Sequence, residues 1–93
     1  MQIPTDIHHD EARQLFEASL EGDVARCEYR RDGAVLHLDY TEVPRTHRGR
    51  GIAGTLVQAA LDYARSNGLK VVPGCSYVRA YMRRHPQTLD LLA

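Results

Sequence analysis

Between Thr41 and Asn67 the sequence gathers the residue types that bind phosphate. Arg45, His47, Arg48 and Arg50 supply positive charge, and Gly49, Gly51 and Gly54 place three glycines in six positions. Glycine lets a backbone approach a ligand closely. Apolar residues then recur at three- and four-residue spacing (Ile52, Leu56, Ala59 or Ala60, Tyr63) up to Asn67-Gly68, which predicts a helix with a glycine stop. A helix N-terminus presents unpaired N–H groups and the positive end of the dipole, so this turn suits a phosphate-bearing ligand. A second reactive type is Cys75, which follows Pro73-Gly74 and sits at or just before a short predicted helix. A helix N-terminus and nearby cations favour the thiolate, the nucleophilic form of cysteine.

The elements that must position these residues can be read on either side of the loop. Thr41-Glu42-Val43-Pro44 is a β-branched strand end stopped by proline, and Ala34–Val43 is rich in strand formers. Val24–Arg30 alternates as a half-buried strand should, and Arg31-Asp32-Gly33 between the two reads as a hairpin turn. The moderately apolar stretch from Arg13 to Leu20 is open to helix or strand. We read it as a strand, because a lone hairpin is marginal and a third strand stabilises it. Residues 1–10 read as a loosely docked lead-in. After the helix, Leu69–Val72 is a short buried strand, parallel to its neighbour because a helical crossover connects them. Ser76 is the expected N-cap of a helix carrying Val78, Tyr81 and Met82 that stops at His85-Pro86, with a last helical turn in 87–93. The fold class is α/β in the α+β sense: an antiparallel meander leading into a β-α-β-α unit, one domain over 1–93.

Composition narrows the function classes. The 93 residues suffice for one small core, and 43% apolar with 26% charged residues is ordinary for a globular chain. No apolar run approaches the ~20 residues of a membrane span, and no secretory leader is visible. Cys27 and Cys75 lack disulfide or CxxC spacing, which points to free thiols and a cytoplasmic setting. The histidines show no metal-ligand spacing, so no metal is expected. Net charge is zero, yet residues 1–24 hold six acids and one base, leaving eleven bases and six acids to the remainder. A nucleic-acid role for the Arg45–Arg50 cluster is disfavoured by that zero balance and by 6% aromatic content, which leaves few stacking platforms.

Arg48-Gly49-Arg50-Gly51-Ile52-Ala53 fits the pattern Arg/Gln-x-x-Gly-x-Gly/Ala at the start of a helix. It resembles the acetyl-CoA-binding signature of the GNAT superfamily of N-acetyltransferases. With Thr41-Glu42-Val43-Pro44, Gly68-Leu69-Lys70-Val71, Cys75-Ser76-Tyr77-Val78 and His85-Pro86, most of the chain is similar to the compact GNAT-like family of about 90 residues. The resemblance implies a truncated GNAT-like fold with a splayed acetyl-CoA cleft. It implies that Arg48, Gly49, Arg50, Gly51, Ile52, Ala53 and Gly54 form the CoA loop, and that Glu42 and Val43 pair with the pantetheine arm like an added strand. It implies catalytic roles for Cys75, for Tyr81 as the proton donor to the departing thiolate, and for Glu42 as a base toward the amine. Such relatives commonly carry histidine where this chain has Tyr40, so a role for that histidine does not carry over.

Two functions follow as expectations. One is an acetyl-CoA-dependent N-acetyltransferase acting on an amine, protein-borne or small. The other is a CoA-binding module with little or no turnover, because the chain lacks the early helices that wall the acceptor site in longer relatives. A monomer or weak homodimer is expected, through an exposed sheet edge.

Overall fold

The computed structural model describes residues 6–93. Its framework is a five-stranded sheet in the order β1-β2-β3-β4-β5: β1 Ile7–Asp10, β2 Leu15–Leu20, β3 Asp23–Asp32, β4 Val35–Glu42 and β5 Lys70–Pro73. The first four run as an antiparallel meander, and β4 and β5 pair in parallel from Val35↔Lys70 to Leu38↔Pro73. The crossover between them is helix α1, Ile52–Ser66, and β5 leads into α2, Ser76–Arg84. A 3₁₀ turn over Pro86–Leu91 follows, and Leu92 bridges Val71 in parallel.

Alternation explains why the sheet has one dry face. Ala25, Cys27 and Tyr29 of β3 and Leu36 and Leu38 of β4 are buried, while Arg26, Glu28, Arg30 and His37 take the other face. Both helices pack on the dry side: Leu56, Val57, Ala60, Leu61 and Ala64 of α1 and Val78 and Met82 of α2 share one core with those strand residues. Among the described residues no helix covers the opposite face, where ion pairs form a charged ladder.

Three sequence expectations shift in detail, and the strand reading of residues 13–20 holds. Residues 7–10, expected to be a loose lead-in, form the edge strand β1 in register with β2; residues 1–5 lie outside the described residues. The stretch open to helix or strand is strand β2. The hairpin reverses at Gly33-Ala34 rather than over Arg31–Gly33, because Asp32 still pairs with Val35 and Gly33 alone supplies the positive φ of 61°. Ser76 is the first helical residue, and the N-cap is Cys75, whose extended backbone makes no side-chain capping bond.

β1 is tied down by aromatic contacts. The His9 ring stacks on Phe16 with centroids 4.0 Å apart and hydrogen-bonds the Tyr29 hydroxyl at 2.6 Å. Burial holds its pKa below the ordinary 6.5, against the opposing pull of Glu11 and Asp10. Below pH 6.5 the unfolded chain therefore binds more protons than the folded one. This contribution to stability is complete above that pH and is lost as pH falls through the lower folded value. We expect Tm to drop between pH 7.5 and 5.5, and His9→Phe to flatten that slope. An unchanged slope in thermal melts of the variant would remove His9 from the account.

Candidate functional site

The strand–loop–helix unit singled out by sequence is built around a deliberate gap. After Leu38↔Pro73, β5 stops pairing with β4, and Cys75 N–H donates the last bond to the Leu38 carbonyl at 3.0 Å. β4 continues alone on that side for four more residues, still paired with β3 on the other. The register slips here, with Tyr29 opposite Leu38 but Glu28 opposite Tyr40, so Asp39 is an extra residue in β4. A bulge of this kind bends its strand and re-aims the side chains that follow. The outcome is an unpaired backbone edge over 39–42, open to an extended amide-bearing ligand.

The chain then turns through Pro44 and a 3₁₀ turn over Arg45–His47 into a glycine nest. Gly49 and Gly51 adopt left-handed backbone at φ 82° and 77°, a conformation that side-chain-bearing residues resist. Gly51 is the N-cap of α1, with no side-chain capping bond and no acid in the first turn. The first amide of this region to find a carbonyl is Thr55 N–H, which donates to Gly51 at 3.1 Å. Helix starts in globular proteins are ordinarily closed by Ser, Thr, Asp or Asn. Leaving this one uncapped beside three arginines makes a concave site for an anion.

Arg48 Nε donates to the Val43 carbonyl at 3.0 Å and fastens the loop to the strand end, while Arg50 donates to His47 Nδ1 at 3.4 Å. A cleft of about 530 Å³ lies between loop and strand. Of the expected cofactor-binding residues, Glu42, Val43, Arg48, Gly49, Gly51, Ile52 and Ala53 line it. Arg50 and Gly54 do not. Gly54 lies where α1 meets α2, and a Cβ there would lie 3.4 Å from both the Tyr77 hydroxyl and the Tyr81 ring.

The expected catalytic residues are distributed around this cleft rather than gathered in it. Glu42 lines it, but Arg26 holds its carboxylate at 3.1 Å. Tyr81 lies in a second, shallower groove with its hydroxyl on Gln58 and its ring stacked on His85. Burial, then the neighbouring Tyr77 and Asp62, raise the Tyr81 pKa and keep it a neutral phenol. Cys75 is half-buried one side chain behind the cleft wall: its thiol donates to Thr41 Oγ1 at 3.9 Å, and Thr41 donates to Cys27 Sγ at 3.8 Å. Tyr40, Thr41 and Tyr77 also line the cleft, and sequence reasoning assigned none of them there; His47, counted with the basic run of the loop, lines it too. Tyr77 is one helical turn before Tyr81, so a helical pattern alone offers both.

The two thiols are chemically unlike. Burial pushes Cys27 up to about 11, opposed by its bond from Thr41 and assisted by Cys75 and Glu28. At pH 7.5 Cys27 is thus almost wholly unreactive thiol. We expect a disulfide reagent to modify Cys75 first, with Cys27 at least about tenfold slower until denaturant is added. Two equally fast thiols in the native protein would contradict this burial.

Comparison with known proteins agrees with the geometry. A model of the GCN5-related N-acetyl-transferase family matches residues 15–91. Protein NATD1 of Gallus gallus is 38% identical over 86 residues, covering 89% of this chain and 78% of its own. Protein NATD1 of Homo sapiens is 38% identical over 86 residues, covering 89% and 76%. The solution structure of a GCN5-like protein from Staphylococcus aureus superposes with a TM-score of 0.75 at 25% identity, covering 95% of this chain and 87% of that one.

Proposed function

Because the chain belongs to the GCN5-related N-acetyltransferase family, we propose that it transfers the acetyl group of acetyl-CoA to an amine. The observation that carries this reading is the uncapped nest at Gly49–Gly51, facing the same cleft as the unpaired edge of β4. The N–H groups of 49–53 hold the pyrophosphate, with Arg48 at the cleft supplying countercharge. The edge over 39–42 holds the pantetheine amides, which brings the thioester to the inner end of the cleft beside Thr41 and Cys75.

In the transfer itself a C–S bond breaks, a C–N bond forms, and the amine loses a proton while the thiolate gains one. In this reading Glu42 takes the first proton through water, releasing Arg26 to do so. Tyr81 is the donor implied by resemblance, and its neutral hydroxyl must exchange Gln58 for the leaving thiolate; Tyr77 already faces the cleft. A cytoplasmic, reducing setting fits the two free thiols. A second reading, a CoA-binding module with little turnover, draws on the engagement of Tyr81 by Gln58 and of Glu42 by Arg26.

The deciding experiment is calorimetry with CoA and acetyl-CoA, paired with intact-protein mass spectrometry of wild type and Cys75→Ser. Binding, plus one acetyl mass gained by wild type and absent from Cys75→Ser, supports a reactive Cys75; chase of that label onto an amine makes it an intermediate. Binding and amine acetylation without protein labelling mean direct transfer. Binding with no acetylation of any amine tested leaves the module. Absence of binding overturns the cleft assignment.

A further inference from the structure

The bulge in β4 sets one carboxylate apart from the well-paired acids around it. Among the acids on the open sheet face, Glu28 and Glu42 are held by Arg26 at 2.8 and 3.1 Å, and Glu17 by Arg13 at 3.2 Å. Asp39 has only Arg30, at 3.8 Å, beyond the 2.7–2.9 Å of a well-formed charge-assisted hydrogen bond. Both side chains of that pair are about half exposed, at 57% and 47%, so the pair is loose and readily exchanged. A carboxylate accepts up to about four hydrogen bonds, and this one retains most of that capacity.

Its position is set by the fold. Asp39 is the extra residue of the bulge, at the point where β4 and β5 part. Its Oδ1 lies so close to residue 74 that a Cβ there would be 2.7 Å away, and the chain has glycine at that position with no positive φ to require it. Gly74, whose N–H turns back to the Val72 carbonyl at 3.0 Å, thus leaves the space beside it to the Asp39 carboxylate. The next residue is Cys75, whose amide closes the β4–β5 pairing.

We propose that Asp39 is an acceptor-recognition residue: its carboxylate, seated against Gly74 at the parting of β4 and β5, binds the cationic amine of an acceptor arriving over the open sheet face. This rests on the acetyl-transfer reading and adds the acceptor's charge, its direction of approach and the residue that selects it. Arg30 is the internal competitor, occupying the carboxylate weakly until an ammonium replaces it. A small alkylamine and a lysine side chain present the same chemistry.

The test is an amide NMR titration of the CoA-loaded chain with n-butylammonium chloride, with n-butanol as the neutral control and Nα-acetyl-lysine amide as the peptide-like probe. Saturable shifts at Gly74 and Cys75 with the ammonium, absent with the alcohol, are expected. Asp39→Asn should remove them. Gly74→Ala, which displaces the carboxylate without removing it, should weaken them several-fold. Arg30→Gln should strengthen binding several-fold, a sign that a merely structural role for Asp39 does not produce. Tighter binding of the lysine probe would mark a protein acceptor, and of the alkylamine a small one. Equal shifts with the alcohol, or an unaltered response in Asp39→Asn, would overturn the assignment. Failure of CoA to bind in the preceding titration would show separately, since the ammonium response at Gly74 can be read in the unloaded chain.

Discussion

Gly51→Val is expected to weaken CoA binding at least about tenfold, a loss of roughly 1.4 kcal/mol or more. Gly51 holds φ 77° at the N-cap of α1, where a β-branched residue adds about 1–2 kcal/mol of backbone strain. The strain is relieved by turning the peptide units on either side, and those units carry the N–H groups of the nest. Ligand binding therefore suffers more than folding does. A graded series separates this from general damage. Gly51→Asn, whose side chain tolerates the left-handed region, should retain more affinity than Gly51→Ala, and both more than Gly51→Val. Gly49, at φ 82° with nothing within 4 Å of an added Cβ, should follow the same order for conformational reasons alone. Calorimetry for affinity and thermal melts for stability are the two readouts. Equal affinity across the series would show that the loop does not hold the phosphates.

How much of this site could be read from residues alone follows from what each signal depends on. The glycine turn and its helix were legible because both are local: positive φ demands glycine, and a 3.6-residue apolar period demands a helix. The parallel strand was legible because a crossover helix leaves no other simple connection. Asp39 was not, since a bulge changes the phase of a strand by one residue without a composition of its own. Ser76 was misplaced because preference for serine at an N-cap is a tendency, whereas the cap position here is set by Cys75 N–H bonding to Leu38 across the sheet. Nor could the pattern choose between Tyr77 and Tyr81. Which of two residues one turn apart meets the cleft depends on how α2 rolls against Gly54, a tertiary matter.

The same dependence links the core to the cleft through Leu38. Its side chain is fully buried, and its carbonyl accepts the amide that ends the β4–β5 pairing. Leu38→Ala keeps that carbonyl but removes buried methyl groups where the dry face meets the parting strands. Such truncations cost about 2–5 kcal/mol, against roughly 5–14 kcal/mol for the whole of a domain this size. At about 4–8 °C per kcal/mol, Tm should fall by roughly 10 °C or more. The urea midpoint should fall with it while the slope stays constant, because the surface exposed on unfolding barely changes. Ligand at a hundredfold excess over Kd returns about 2.7 kcal/mol to any variant whose native site still binds normally. Leu38→Ala should recover less than wild type gains under identical acetyl-CoA, because the cavity loosens the strand edge that the ligand must pair with. Equal gains would mean that the edge is held by β3 alone, and that packing beneath the cleft contributes stability without shaping the site.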